Sequence, residues 1–189
     1  TYPEIYTMQI RAVLEAAAMV GMPTVAFNRG ETVRNGAGWF QINAGEDGTR
    51  MSSSHAYLHP ILGKRPNLDV RTGCWVSEIL FDDQNNATGV RYQRPDLTGY
   101  DTVAASREVI VTAGAIDTPK LLMLSGIGPA EHLREFGIAV RTDSPGVGSN
   151  LDDHVEGLVF WEASQPMVRT STQWWEIGLF TTVDPGVSQ

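Results

Sequence analysis

The feature that most constrains the fold is an apolar run that leads through three small residues into a helix. Residues 108–112 read Glu-Val-Ile-Val-Thr, and residues 113–115 read Ala-Gly-Ala. An apolar run without polar alternation is typical of a strand buried on both faces in a parallel sheet. Small residues after such a strand let a flat ligand approach the backbone, and the following helix N-terminus favours an anionic group. Close packing of strand and helix explains the same small residues equally well.

Helices are predicted on both sides of this run. Residues 3–20 repeat apolar side chains at helical spacing, and Gly21 stands where a left-handed residue would end the helix. After the small residues, Thr118 is the expected N-cap and Pro119 the first helical residue. Another helix is expected over residues 129–136.

Short β-rich runs separated by turn residues predict an antiparallel meander, with strands at residues 68–71, 75–81, 88–93 and 102–104. Residues 28–54, rich in Gly, Asn, Ser and Thr, are expected to form an ordered loop, and a helix that Pro60 ends is expected near residue 55. A further strand is expected at 155–162. Together these elements predict an α/β chain that forms part of a nucleotide-binding domain.

Composition excludes several classes of function. The 189 residues contain 14 Lys and Arg against 22 Asp and Glu, a net charge of −8, which argues against nucleic acid as a partner. No apolar run approaches the length of a membrane span. Cys74 is the single cysteine, so an internal disulfide and a cysteine-cluster metal site are excluded. His55 and His59 are four residues apart, but Pro60 disrupts a helix there, so no metal site is expected.

Acidic and aromatic residues cluster near the C-terminus. His154 and Glu156 would point to the same face of the expected strand, although an exposed polar strand end explains them more simply. Glu156, Trp161, Trp174 and Trp175 together could hold a quaternary ammonium through charge and cation–π attraction. A tryptophan-rich core with an exposed Glu is the alternative.

The dinucleotide fingerprint is missing. Residues 36–38 and 146–148 each have the sequence G-x-G. Neither has Gly or Ala at the last position of the fingerprint, and neither follows a strong predicted strand. The chain begins with Thr1 and closes on a loop-like stretch, which we interpret as an internal piece of a longer protein. Any cofactor would then be only partly enclosed by these residues.

A long motif resembles a known family. Residues 114–128, Gly-Ala-Ile-Asp-Thr-Pro-Lys-Leu-Leu-Met-Leu-Ser-Gly-Ile-Gly, closely resemble the second signature of the glucose–methanol–choline (GMC) oxidoreductases, which are FAD enzymes. Residues 145–154 resemble the family's next motif, and residues 40–43 and 47–54 also fit. The likeness is greatest to the choline-oxidising members, and it rests on Asp117, Glu156 and the segments 165–167 and 171–176.

The resemblance implies a cofactor site. Val76 occupies the position whose backbone contacts the adenine of FAD, and Thr112, Ala113 and Gly114 would line the flavin side of the nucleotide domain. The implied fold is a partial Rossmann-like FAD-binding domain with its meander, joined to part of the substrate-binding domain. The expected segments are a substrate-domain helix and loop at 1–50, the FAD-binding part at 51–153 and the start of the substrate domain at 154–189.

The resemblance also implies a substrate site and a reaction. Glu156 would hold the trimethylammonium group of choline, Trp175 would form an aromatic wall, and His154 would be the catalytic group that tunes the pocket. Such enzymes oxidise choline to betaine aldehyde and then to glycine betaine by hydride transfer to the flavin. The expected full-length form is a cytoplasmic homodimer, and this piece alone is expected to be inactive. A family member acting on another alcohol, and a non-catalytic binding module, are the alternatives.

Overall fold

The computed structural model describes residues 4–29, 35–45, 47–162, 164 and 176–182. In chain order the helices and strands are α1 (Glu4–Met19), β1 (Gly36–Trp39), β2 (Trp75–Phe81), β3 (Ala87–Gln93), β4 (Tyr100–Ala104), α2 (Gly114–Leu124), β5 (Ile127–Gly128), α3 (Ala130–Glu135), β6 (Thr142–Asp143) and β7 (Ile177–Phe180). The chain divides into two compact units, of which one comprises Thr1–Asn67 with Phe160–Gln189 and the other Leu68–Val159. The assignment of segments to cofactor and substrate domains stays a prediction.

The first unit is built on α1 and the antiparallel pair β1–β7. Leu14 and Ala17 of α1 pack with Ala37 of β1 in its core. The predicted first helix is confirmed, and Gly21 follows it with a left-handed φ of +83°. Helical spacing of apolar residues therefore identified this element correctly.

Strand β1 falls inside the region predicted to be a loop. It pairs in register with β7, from Gly36↔Phe180 to Trp39↔Ile177. Its sequence, Gly-Ala-Gly-Trp, has little intrinsic preference for a strand, so its pairing partners decide its conformation. These are β7 and, on the other side of Ala37, the backbone of residues 23–25. An added Cβ on Gly38 would overlap the carbonyl oxygen of Val25, which shows how closely the backbones approach there.

A short helical stretch follows in the same unit. Ser54–Leu58 forms a π-helix, and His59–Ile61 continues it as a 3₁₀-helix. The prediction that the helix ends at Pro60 is wrong. Pro60 lies in the first turn of the 3₁₀-helix, where a missing backbone N–H costs no hydrogen bond.

The second unit contains the predicted meander, in which three of the four predicted strands are confirmed. Strands β2, β3 and β4 form an antiparallel sheet in sequence order, with Ile79 opposite Val90 and Val90 opposite Val103. The strand predicted at 68–71 is wrong, because these residues lie outside the sheet and Arg71 is instead tied through its side chain to Asp69 and Tyr92.

Helix α2 begins earlier than predicted. Its N-cap is Ala113, without a side-chain cap, so the prediction of Thr118 as N-cap is wrong and Pro119 lies inside the helix. Gly114 has φ +89°, a conformation open to glycine, and this turns the chain directly into the helix. The next helix is confirmed: α3 has Pro129 as its N-cap and is followed by Gly137 at φ +69°.

Two predicted strands are not formed. Residues 108–112 and 155–162 have no regular secondary structure and belong to no sheet, and Ile110 and Val155 are 75% and 100% exposed. A strand takes its hydrogen bonds from a neighbour, and none of the described residues supplies one to either segment. An apolar run alone therefore did not determine pairing or burial. No helix in the described ranges is both long and apolar enough to cross a bilayer.

Candidate functional site

A cavity of about 240 Å³ lies between the start of β2 and one face of α2. It is lined by Cys74, Trp75, Val76, Ala113, Asp117, Lys120, Leu121 and Leu124. Apolar side chains predominate, and one acidic and one basic residue are added by α2. Such a lining suits a flat ligand with apolar faces and a polar edge.

A buried hydroxyl joins the two walls of this cavity. The Ile79 backbone N–H donates to Ser125 Oγ at 2.9 Å, and that hydroxyl donates to the Leu121 carbonyl at 2.6 Å. Ser125 is only 8% exposed, so each bond satisfies a polar group that water cannot reach well. The end of α2 is therefore fixed to the middle of β2.

Gly126 makes this arrangement possible. It has φ +85°, and an added Cβ would lie 2.6 Å from the Ala139 carbonyl oxygen. A side chain at this position would meet both the strained conformation and the neighbouring backbone. The Ser-Gly pair after α2 thus has two separate structural roles, the hydroxyl bridge and the tight exit from the helix.

Trp75 and Lys120 meet at the cavity. The Lys120 ammonium lies 4.8 Å from the centroid of the Trp75 ring, within the range of a cation–π contact. Asp117 Oδ1 lies 3.5 Å from the same ammonium. All three side chains line the cavity, so charge and aromatic surface are adjacent there.

The predicted cofactor residues divide into two groups. Val76 and Ala113 come from separate elements and both line the cavity. Thr112 and Gly114 flank Ala113 along the chain and are exposed, but they do not line it. An added Cβ on Gly114 would meet no atom within 4 Å, so space is open beside this backbone. The roles of all four residues stay predictions.

The predicted substrate residues lie elsewhere. His154 and Glu156 lie in the exposed irregular segment and do not line the cavity. His154 Nδ1 lies 3.6 Å from Asp153 Oδ1, and its side chain is 95% exposed. Trp174 and Trp175 lie outside the described residues. The predicted juxtaposition of Glu156 and Trp175 therefore stays a prediction.

Sequence reasoning missed most of the cavity lining. Asp117 stood out only as part of a motif, and neither Trp75 nor Lys120 was singled out. The spacing of Asp117 and Lys120, three residues apart on a helix, could have predicted their ion pair. No sequence signal places residue 75 beside residue 120, because a tertiary contact between a strand and a helix brings them together.

The histidines do not form a metal centre in the part of the chain that the structure describes. The rings of His55 and His59 have centroids 5.5 Å apart. Across the described ranges, no three His, Cys, Asp or Glu side chains are placed to hold one ion.

The pKa of Asp82 is lowered by contacts in and beside the β2–β3 turn, away from the lining of the cavity. Hydrogen bonds from the side-chain amide and backbone N–H of Asn86 hold the pKa of Asp82 below its ordinary value, and the charge of Arg141 acts in the same direction. The Arg141 guanidinium donates to the Asp82 carbonyl at 3.1 Å and to Asn85 Oδ1 at 2.8 Å. It also lies 5.1 Å from the Phe81 ring centroid. These contacts shape the turn.

The comparison with protein families decides the classification. The sequence profile of the GMC oxidoreductases matches residues 3–156. The chain belongs to the GMC oxidoreductase family. The predictions of family and of a mixed α/β fold are thereby confirmed.

Individual relatives of this GMC oxidoreductase support the same classification. Choline oxidase from Arthrobacter globiformis is 51% identical over 178 residues, covering 94% of this chain and 32% of that protein. An oxygen-dependent choline dehydrogenase from Staphylococcus xylosus is 45% identical over 121 residues, covering 64% of this chain and 21% of that protein. An FAD-dependent oxidoreductase from Chaetomium thermophilum has a solved structure with a TM-score of 0.67 at 32% identity, covering 77% of this chain and 25% of that one.

The cavity fits one end of the cofactor. Family membership and the FAD-dependent neighbour support the prediction of FAD. At about 240 Å³, the cavity is smaller than the roughly 300–1,000 Å³ of pockets that enclose a whole drug-sized ligand. Its size and apolar walls suit a single planar base. This GMC oxidoreductase chain spans about a third of the choline oxidase that it matches.

Proposed function

We propose that this GMC oxidoreductase takes part in the FAD-dependent oxidation of choline to betaine aldehyde and then to glycine betaine. The observation that carries the proposal is the 51% identity to a choline oxidase over 94% of the chain. A family match alone would support only an alcohol oxidoreductase. Similarity that extends over nearly every element favours the same substrate class.

The cofactor side of the proposal rests on the cavity between β2 and α2. Val76 and Ala113 would hold the adenine end of FAD there, and the exposed backbone at Thr112 and Gly114 would continue toward the flavin. FAD supplies the hydride acceptor, and this chain supplies binding and orientation.

The substrate side rests on Glu156, Trp175 and His154. A carboxylate neutralises a trimethylammonium group that cannot donate a hydrogen bond, and an aromatic face attracts the same cation. In the proposal Glu156 supplies the charge, Trp175 the face and His154 a tuning group beside them. Glu156 and His154 are exposed in this chain, so their side chains are accessible to a ligand.

The experiment replaces Glu156 by Gln in the intact enzyme. Kinetics are compared for choline and for 3,3-dimethylbutan-1-ol, which has the same shape without the charge. We expect KM for choline to rise at least about tenfold, equivalent to about 1.4 kcal/mol, with little change for the neutral alcohol. Glu162→Gln, at an exposed position of the same segment, is the matched control. Equal losses for both alcohols would contradict the cation site.

A second candidate function is the oxidation of an uncharged alcohol. It is favoured by the exposure of Glu156, which the described residues do not pack into a pocket. A preference of the unaltered enzyme for the neutral alcohol would identify this function. Binding of glycine betaine without flavin or turnover would instead identify a non-catalytic module.

Two further expectations belong to the proposal for the full-length protein. Homodimeric assembly is tested by sedimentation equilibrium, and a cytoplasmic location by fractionation of the source cells. A monomer in the first measurement, or recovery in another fraction in the second, would contradict the corresponding expectation.

A further inference from the structure

A second cavity, of about 400 Å³, lies beside the β2–β3 turn. Its lining comes from Glu78 of β2, Asn85 of the turn, the end of α2 and residues 138–141 before β6. Among the described residues, Leu124 alone lines both this cavity and the one assigned to the cofactor, so the two are separate spaces. We call the second one the Arg141 cavity. Its volume lies within the range of pockets that hold a small ligand.

Arg141 presents free donors to this cavity. Its Nη1 donates to the Asp82 carbonyl at 3.1 Å and to Asn85 Oδ1 at 2.8 Å, which fixes the guanidinium in place. Its Nε and Nη2 have no hydrogen-bond partner among the described residues. The Asp82 carboxylate is not bonded to Arg141 and accepts from Gln84 and Asn86 instead. The positive charge is therefore held in one position with two N–H groups available to a ligand.

Asn85 adds a third donor. A guanidinium only donates hydrogen bonds, so the amide oxygen of Asn85 faces Arg141 and its Nδ2 remains available. Both side chains line the same cavity. A guanidinium edge with a neighbouring amide donor matches the two oxygens of a carboxylate. Because the guanidinium is already fixed, little side-chain freedom is lost when such a ligand binds.

Glu78 adds an acidic group to the same lining. Its Oε2 pairs with Arg91 at 2.7 Å, and its Oε1 has no partner among the described residues. The free oxygen can accept a hydrogen bond from a primary ammonium, whereas a trimethylammonium group has no hydrogen to donate. Leu124, Ile138 and Val140 supply aliphatic surface. The lining thus combines donors for a carboxylate, an acceptor for an ammonium and an apolar wall.

We propose that the Arg141 cavity binds a small aliphatic amino acid in its zwitterionic form. Arg141 and Asn85 bind the carboxylate, and Glu78 accepts a hydrogen bond from the ammonium. The aliphatic side chain of the ligand packs on the apolar wall. This binding site is separate from the cofactor cavity and from the residues proposed to bind choline.

The first experiment titrates the unaltered intact enzyme by calorimetry, which needs no turnover. The probes are L-leucine, 4-methylpentanoate, which lacks its amino group, and 3-methylbutan-1-amine, which lacks its carboxylate. We expect L-leucine to bind with the lowest Kd and each truncated probe to bind at least about tenfold more weakly. Absence of saturable L-leucine binding would overturn the proposal. Equal Kd values for L-leucine and 4-methylpentanoate would overturn the role of Glu78 and the zwitterionic ligand.

Variants then locate the bound probe. Arg141→Met is expected to raise the Kd of both L-leucine and 4-methylpentanoate at least about tenfold, and Arg141→Lys to recover part of the loss. Glu78→Gln should weaken the binding of L-leucine alone. Arg134→Met, at an exposed arginine of α3 outside the lining, is the matched control and should change neither Kd. Unchanged L-leucine binding in Arg141→Met would place the ligand elsewhere and overturn the proposal. If Arg141→Met does not fold, the three probes on the unaltered enzyme and the Glu78→Gln variant still decide it.

Discussion

The region from β2 to α2 and the segment around residues 151–159 lie in one compact unit, yet their side chains are held very differently. In the first region, Ser125 bridges strand and helix, and Ile79 beneath it is 5% exposed. In the second, Val155 is fully exposed and Leu158 is 61% exposed. The cavity assigned to the cofactor is thus shaped by contacts within this chain. The residues proposed to bind the substrate are not held in place by such contacts among the described residues.

The largest expected effect compares two leucines. Leu133 is 1% exposed, so Leu133→Ala should lower the free energy of unfolding by about 2–5 kcal/mol through lost burial and the cavity left behind. Leu158→Ala, the same change in the exposed irregular segment, should alter it by no more than about 0.5 kcal/mol. Urea unfolding of the 189-residue chain measures both. A cost above about 1 kcal/mol at Leu158 would contradict the contrast between the regions.

The next effect compares two serines. Ser125→Ala leaves the Ile79 N–H without its partner in a buried place, which should cost about 1–3 kcal/mol. Ser149→Ala removes an exposed bond to the Pro145 carbonyl and should change stability by no more than about 0.5 kcal/mol. Thermal unfolding of both variants checks the difference. Similar costs would show that the bridge does not set the first region apart.

The smallest effect concerns the β2–β3 turn and depends on pH. Hydrogen bonds from Asn86 lower the pKa of Asp82 in the folded protein from its ordinary value of 3.8. The ionised Asp82 carboxylate therefore stabilises the folded protein fully above about pH 3.8. This stabilisation is lost as the pH falls through the lower pKa of the folded state. Asp82→Asn should lower the melting temperature at pH 7. The difference in melting temperature between this variant and the unaltered protein should shrink toward pH 3.

Asn86→Ala provides the control for this measurement. This variant removes the side-chain donor with the largest effect on the pKa of Asp82. In the Asn86→Ala background, Asp82→Asn should therefore lower the melting temperature at pH 7 by a smaller amount. An unchanged difference in melting temperature in the Asn86→Ala background would show that these hydrogen bonds do not carry the pH dependence.

Local patterns predicted those elements that local physics determines. The first helix followed from apolar spacing and from Gly21, and the three strands of the meander followed from β-rich runs between turns. Residues 108–112 were read as a buried strand, but burial and pairing depend on neighbours that a linear pattern does not specify. Strand β1 was missed for the converse reason, because its glycines become a strand through pairing with β7 and with the backbone of residues 23–25.

The candidate site shows the same division. The family resemblance led to Val76 and Ala113, and the structure brings both to one cavity. Trp75 and Lys120 escaped notice because their contact joins a strand to a helix across 45 positions of sequence. Cys74 also lines the cavity, and its thiol donates to the Thr72 carbonyl at 3.6 Å.

The hydroxyl bridge has a practical consequence for redesign. One oxygen atom, outside the lining, joins the strand and the helix on either side of the cavity. An engineer who wants to widen the cavity should therefore vary position 125 before trimming the side chains that line it. Width and surface chemistry can then be adjusted independently.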